Sequence, residues 1–246
     1  MSRFKIKFSY DGSNYKGYQK QPSAKTVQTE IEKVLKKITN TKKVDLVASG
    51  RTDAGVHALN QTAHFDLKEP MTELKLKTAM NSLLPADIYI KTVDKVNEKF
   101  HARYDVNYKE YIYKINIGEY NPIERNYIYQ HNKRLDLVSI ERGMKFLEGK
   151  KDFTSFTSLD KTEKDKDCTR NLLSTKLERK ENLITLSFLG EGFLKYMVRN
   201  MVGLLLEIGE GKKKSEDIIT ILEQKDRTKA GVTATPEGLY LKDVYY

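Results

Sequence analysis

The residues best suited to chemistry lie in one short run, Ser49-Gly50-Arg51-Thr52-Asp53-Ala54-Gly55-Val56-His57-Ala58, between two apolar segments. Its two glycines and small side chains let a backbone come close to a ligand. Asp53 offers a carboxylate that, when ionised, can act as a nucleophile. Arg51 places a planar cation two positions away. An Asp and an Arg at that spacing on a turn usually mean local hydrogen bonding and a surface ion pair, so spacing alone does not decide between the two readings.

A second run adds weight: Gly190-Glu191-Gly192-Phe193-Leu194-Lys195-Tyr196-Met197-Val198-Arg199-Asn200-Met201-Val202-Gly203. Arg199 stands among Met197, Val198, Met201 and Val202, where a cation loses water and needs an anion, which a carboxylate or a phosphate supplies. A structural ion pair satisfies the same need. On a 3.6-residue period Lys195, Arg199, Gly203 and Glu207 form one row, and Gly203 leaves space beside Arg199, as if the row lined a cleft. A third run, Tyr108-Lys109-Glu110-Tyr111-Ile112-Tyr113, alternates so that Tyr111 and Tyr113 share a face, and aromatics interleaved with cations suit base stacking. With fifteen tyrosines and no tryptophan in the chain, most tyrosines belong to the core; Tyr111 alone is assigned to a site.

Other chemistries fail on counting. Leu206 occupies the place of the first glycine that a phosphate-binding loop ending in Gly211-Lys212 would need, and Gly190 and Gly192 lack the third glycine of a dinucleotide fingerprint. His57 and His64 do not have the spacing of a zinc-binding helix. Cys168, the only cysteine, rules out an internal disulfide and a multi-cysteine zinc site. Set among Asp165, Lys166, Asp167 and Arg170, it reads as an exposed bystander thiol. No metal or nucleotide cofactor is expected.

The 246 residues suffice for a substantial core. No apolar run approaches the roughly 20 residues that span a bilayer, and the N-terminus has no signal-peptide core, so a cytoplasmic protein is expected. Lys and Arg number 44 against 34 Asp and Glu, a net charge of +10 that favours a polyanionic partner.

The elements that must hold these runs follow from periodicity. Phe4, Ile6, Phe8 and Tyr10 alternate as a half-buried strand ending at Asp11-Gly12. Thr26 caps a helix whose Val27, Ile31, Val34, Leu35 and Ile38 make one stripe. Strands are expected over 44–48, 61–66 and 88–93, with a helix over Glu73–Leu83 that Pro85 ends. Beyond these come a strand over 108–117, a helix over Leu137–Leu147, paired strands within 172–189, helices over 193–208 and 215–224, and a final strand over 239–246. Residues 161–170 lack apolar periodicity and read as an exposed loop. The order fits two similar α+β halves, residues 1–104 with the Asp53 turn and residues 105–246 with the Tyr111 strand and the Arg199 helix.

With these segments in hand, the chain resembles the TruA family of tRNA pseudouridine synthases. The signature Gly-Arg-Thr-Asp-Ala-Gly-Val-His stands unbroken at residues 50–57, and Gly-x-Gly-Phe-Leu-x-x-Met-Val-Arg at 190–199. Tyr10-Asp11-Gly12 with Gly17-Tyr18-Gln19, Asn81 with Leu84-Pro85, Phe100-His101-Ala102-Arg103, and Asp152-Phe153 with Phe156 follow in the family's order. One departure lies near the end, where Thr233-Ala234-Thr235-Pro236 carries its proline one place late. It bears on which uridine is chosen more than on the chemistry.

The resemblance implies the pseudouridine synthase fold, two α+β halves around a central, mainly antiparallel sheet with a basic cleft between them. It also implies a cofactor-free isomerase that converts uridine to pseudouridine in the anticodon stem-loop of tRNA and works as a homodimer. By resemblance Asp53 is the catalytic carboxylate, adding to C6 of the base or attacking C1′ of the ribose. An opposite charge within about 4–6 Å lowers a carboxylate pKa by roughly 1–3 pH units, the role given to Arg199. Arg51 fills the space of a base drawn from the stack, or contacts phosphate. Tyr111 stacks on the uracil, and its hydroxyl is placed to assist proton loss at C5. Binding should weaken steeply with salt. A glycoside hydrolase using Asp53 would need a second carboxylate, which the turn does not offer. A non-catalytic RNA-binding protein on the same fold is the other alternative.

Overall fold

A computed structural model describes residues 1–68, 71–158 and 167–246. It divides into two units: Met1–Asn107 with Tyr240–Tyr246, and Tyr108–Leu239. The last strand therefore belongs with the first unit, which no local pattern in the sequence announces.

The first unit is a mainly antiparallel sheet with two helices. β1 (Ser2–Tyr10) buries Phe4, Ile6, Phe8 and Tyr10, as its alternation requires. It pairs antiparallel with β3 (His57–Leu67) on one side and β4 (Ile88–Val96) on the other. Beyond β3 lies the terminal strand β10 (Leu239–Tyr245), parallel to it through Tyr240 opposite His57 and Leu241 opposite Ala58. β2 is confined to Val47–Ala48, shorter than the expected 44–48, although Val44 and Leu46 are buried. Thr26 caps α1 (Val27–Thr39) by accepting the Thr29 N–H, and Asn40 ends it in the left-handed conformation. α2 (Glu73–Leu83) is clamped to β4 by Asn81, whose amide donates to Ile90 O and accepts from Ile90 N.

The second unit repeats the mixture. β5 (Tyr108–Asn116), β9 (Leu183–Gly190), β8 (Thr169–Lys180) and β7 (Gly149–Asp152) lie side by side, all antiparallel, with the short β6 (Tyr129–Gln130) parallel to β5. α3 (Leu137–Leu147) packs on β8, on α4 (Met197–Gly209) and on α5 (Asp217–Gln224). The class is α+β with mainly antiparallel sheets and five α-helices among the described residues. Among those residues no helix is long and apolar enough to cross a membrane.

Two expectations need correction. Cys168 is buried, not exposed: its carbonyl accepts the Phe153 N–H, and it leads directly into the β7–β8 pairing that begins at Asp152 and Thr169. Its charged neighbours misled because adjacent residues do not set its burial; the Phe153 backbone, far off in sequence, packs against it. The apolar run from Phe193 does not begin a helix at once. Tyr196 adopts a left-handed conformation with φ of 62°, so α4 starts at Met197 and Lys195 stands outside the helical row. Of the expected exposed loop at 161–170, residues 161–166 lie outside the described residues.

Candidate active site

In the first unit, a set of hydrogen bonds fixes the turn that carries Asp53. Ser49 N donates to Thr62 O at 2.8 Å, and the buried Gln61 accepts from Ser49 Oγ at 2.6 Å while its amide donates to Gly50 O at 3.1 Å. Thr52 points inward and shares a 2.7 Å hydrogen bond with Tyr10 Oη. Burial pushes that phenol up to about 12, so it stays neutral. Thr52 O accepts from Tyr18 N at 3.1 Å, Asp53 O accepts from Val56 N at 3.2 Å, and Gly55, at φ of 78°, donates to Tyr15 O at 3.4 Å. With Thr52 turned in, the alternate positions turn out: Asp53 is half-buried and Arg51 exposed. Arg51 Nη1 donates to Gln19 Oε1 at 2.9 Å.

Glycines let the 12–18 segment press on this turn. A Cβ on Gly12 would lie 2.0 Å from Val56 O, and one on Gly17, where φ is 97°, would lie 3.0 Å from Thr52 O. Gly12 N donates to Nδ1 of the buried His57, whose ring stacks on Tyr240 at 4.7 Å. The turn is thus a rigid carrier for an acidic side chain, the preorganisation that a catalytic carboxylate needs.

In the second unit, Arg199 sits in the first turn of α4, half-buried. Its Nε donates to Ala234 O at 2.7 Å, its carbonyl accepts from Ala234 N at 3.0 Å, and its guanidinium lies 5.3 Å from the Tyr196 ring centre. Tyr111 is buried on β5 and meets Phe193 edge-on at 5.0 Å. Tyr113, on the same face, is fully buried; its hydroxyl donates to Thr235 O at 2.9 Å, and its ring lies so close to Gly238 that a Cβ there would be 2.8 Å away.

This geometry sits in residues that match known proteins. The family described as tRNA pseudouridine synthase matches residues 7–105 and 144–246. The chain belongs to that family. A tRNA pseudouridine synthase A of Geobacillus sp. (strain WCH70) is 43% identical over 245 residues, covering 99% of this chain and 98% of its own. Another, of Streptococcus sanguinis (strain SK36), is 42% identical over 247 residues, covering 100% and 99%. A chain from the crystal structure of a Cbf5-Nop10-Gar1 complex covers 82% of this chain and 54% of its own at 16% identity and a TM-score of 0.35, too distant to bear on the site.

Within the family frame, the four residues expected at the site fall on two units: Arg51 and Asp53 on the first, Tyr111 and Arg199 on the second. One local expectation is overturned. Gly203 does not open a cleft beside Arg199; it admits the backbone of the 231–235 segment, since a Cβ there would lie 1.8 Å from Val232 O. Glu207, in the same row, accepts from Val232 N at 3.4 Å and lies 3.8 Å from Lys213 Nζ.

Sequence reasoning missed the residues that hold this segment. The fully buried Asn200 donates to Phe156 O at 2.7 Å and accepts from Arg227 Nη2 at 2.8 Å and Thr233 Oγ1 at 2.7 Å, while Arg227 Nη1 donates to Gly231 O at 2.8 Å. This network sets the Ala234 carbonyl that receives Arg199. The available signal was Asn200 itself, a lone amide in an apolar helix. In the first unit Tyr10, Gly12, Gly17, Tyr18 and Gln19 matched family motifs without an assigned role, and all of them hold the turn.

Proposed function

We propose that this chain isomerises uridine to pseudouridine in tRNA, with Asp53 as the catalytic carboxylate. The observation that carries the reading is the Asp53 turn: its main chain is bonded on both sides while its side chain stays half-buried, inside an unbroken family signature. In the reaction the N1–C1′ bond breaks, a C5–C1′ bond forms, C5 gives up its proton and N1 takes one up. Atoms and charge balance without an oxidant or an energy source.

Asp53 adds to C6 or attacks C1′. Arg199 supplies the cation that keeps it ionised, Tyr111 stacks on the detached uracil, and Arg51 fills the space of the extruded base. Main-chain fixing of the Asp53 turn supports the first role. The aromatic edge of Phe193 against Tyr111 supports the third, because it leaves the ring's orientation defined. The target is the anticodon stem-loop, the working form a homodimer, and the compartment the cytoplasm.

The test is incubation with unmodified tRNA transcripts, followed by chemical labelling of pseudouridine and primer extension, for wild type and Asp53→Asn. Wild type is expected to place pseudouridine in the anticodon stem-loop and the variant to place none. Equal conversion by both would overturn the mechanism, and release of free uracil would point to hydrolysis.

A further inference from the structure

The Phe100-His101-Ala102-Arg103 motif has no part in the mechanism above, yet the first unit fixes it on every side. Phe100 O accepts from Arg3 Nη1 at 2.8 Å, and its ring lies 5.1 Å from Tyr246. Ala102 is fully buried, donates to His64 Nδ1 at 3.0 Å and accepts from Tyr246 Oη at 2.7 Å. His101 closes the turn: its N–H donates to Asp105 Oδ2 at 2.8 Å, and its Nδ1 accepts the N–H groups of Arg103 and Tyr104, both at 3.2 Å.

What these bonds hold out is the ring of Tyr104. It is stacked on His101 at 4.2 Å with 23° between planes, and it is 75% exposed. The exposed Arg103 places its guanidinium 5.9 Å from the Tyr104 ring centre. His101 in turn meets the buried His64 edge-on at 4.9 Å. A single exposed aromatic is unremarkable. A tyrosine backed by a second ring, anchored through main chain and flanked by a guanidinium has the parts of a base-stacking platform: a flat π-face that accepts any base, and a cation for the phosphate beside it.

We propose that Tyr104, backed by His101 and flanked by Arg103, binds an unpaired nucleobase of the tRNA outside the catalytic turn. The proposal rests on the tRNA reading above. The net charge of +10 favours a polyanion over a second copy of the same basic chain, and the carboxylate of Asp105, next in sequence, is engaged by the His101 N–H.

The experiment compares wild type, Tyr104→Ala, Tyr104→Phe and Arg103→Gln for affinity to an unmodified tRNA transcript, single-turnover rate at saturating tRNA, and mass by light scattering. Tyr104→Ala is expected to bind about 5- to 100-fold more weakly. Tyr104→Phe should bind within about twofold of wild type, because the π-face remains. Arg103→Gln should lower the salt slope by about one. The saturated rate should stay unchanged in all three.

Unchanged affinity in Tyr104→Ala overturns the platform. So does a loss of the same size in Tyr104→Phe. A dimer in wild type that becomes a monomer in Tyr104→Ala would assign the ring to a subunit contact instead. If wild type binds tRNA and converts it while Tyr104→Ala does so equally well, the platform alone falls; if wild type does neither, the substrate reading falls with it.

Discussion

The turn that carries Asp53 and the helix that carries Arg199 are both seated by a glycine that admits an opposing backbone, Gly12 against Val56 and Gly203 against Val232. They differ in what completes the hold. Around the anion, the bonds run through main-chain groups and neutral side chains: Tyr18 N, Tyr15 O, Thr52 with Tyr10, and Gln61. Around the cation, charged groups are spent on carbonyl oxygens, Arg199 on Ala234 and Arg227 on Gly231, with the Asn200 amide as hub. A turn fixed through its main chain holds its carboxylate in one place, the condition that chemistry at that group needs. A guanidinium already bound at Nε has its remaining N–H groups aimed by that bond.

The glycines test what the two regions share. Gly12→Ala and Gly203→Ala are each expected to cost more than about 3 kcal/mol in denaturant unfolding, because the Cβ meets backbone that cannot move aside. In an ordinary helix interior, Gly to Ala at position 203 would instead gain about 1 kcal/mol, so a stabilised Gly203→Ala would refute the close approach.

The next largest effect separates the regions. Asn200→Ala leaves Phe156 O and the Arg227 guanidinium without their buried partner, at a cost of roughly 2–3 kcal/mol. It should lower kcat more than it raises KM, since it moves the Ala234 carbonyl beneath Arg199. An unaltered kcat in a folded Asn200→Ala would show that Arg199 does not depend on the network.

Acid gives a smaller effect. Burial holds the His64 imidazole down to about 4, with Arg3 and His101 pushing the same way. A folded value below the ordinary 6.5 means that the unfolded chain takes up the proton first. The stability His64 contributes is therefore complete above about pH 6.5 and lost as pH falls toward 4. Between pH 7 and 5 the loss should be roughly 1–2 kcal/mol, read as a falling Tm that is shallower in His64→Gln. Equal slopes in the two proteins would remove His64 from the account.

Gln19→Ala should change stability least, by less than about 0.5 kcal/mol, because Arg51 is exposed. By releasing the guanidinium it should still slow turnover several-fold, and no change would leave Gln19 a surface contact only.

Much of this was legible in local pattern. The ranges expected for α2 and α3 stand as the structure has them, and β1 follows from its alternation. Asp53 itself was legible as a residue on a glycine-bearing turn, though only the whole signature separated it from an ordinary surface ion pair. What was not legible depends on distant chain. Periodicity cannot show that Tyr196 turns left-handed before α4, that Cys168 is covered, or that β10 returns to pair with β3 nearly two hundred residues earlier. Gly203 misled for the same reason: a missing side chain looks like open space until the segment that fills it is known.

The most direct test of Asp53 follows the hydrogen that the isomerisation must expel. With tRNA tritiated at C5 of uridine, under single-turnover conditions, wild type should release tritium to water, and Asp53→Asn should do so at least about a thousandfold more slowly while binding the tRNA with similar affinity. Tritium release by Asp53→Asn at the wild-type rate would contradict the account.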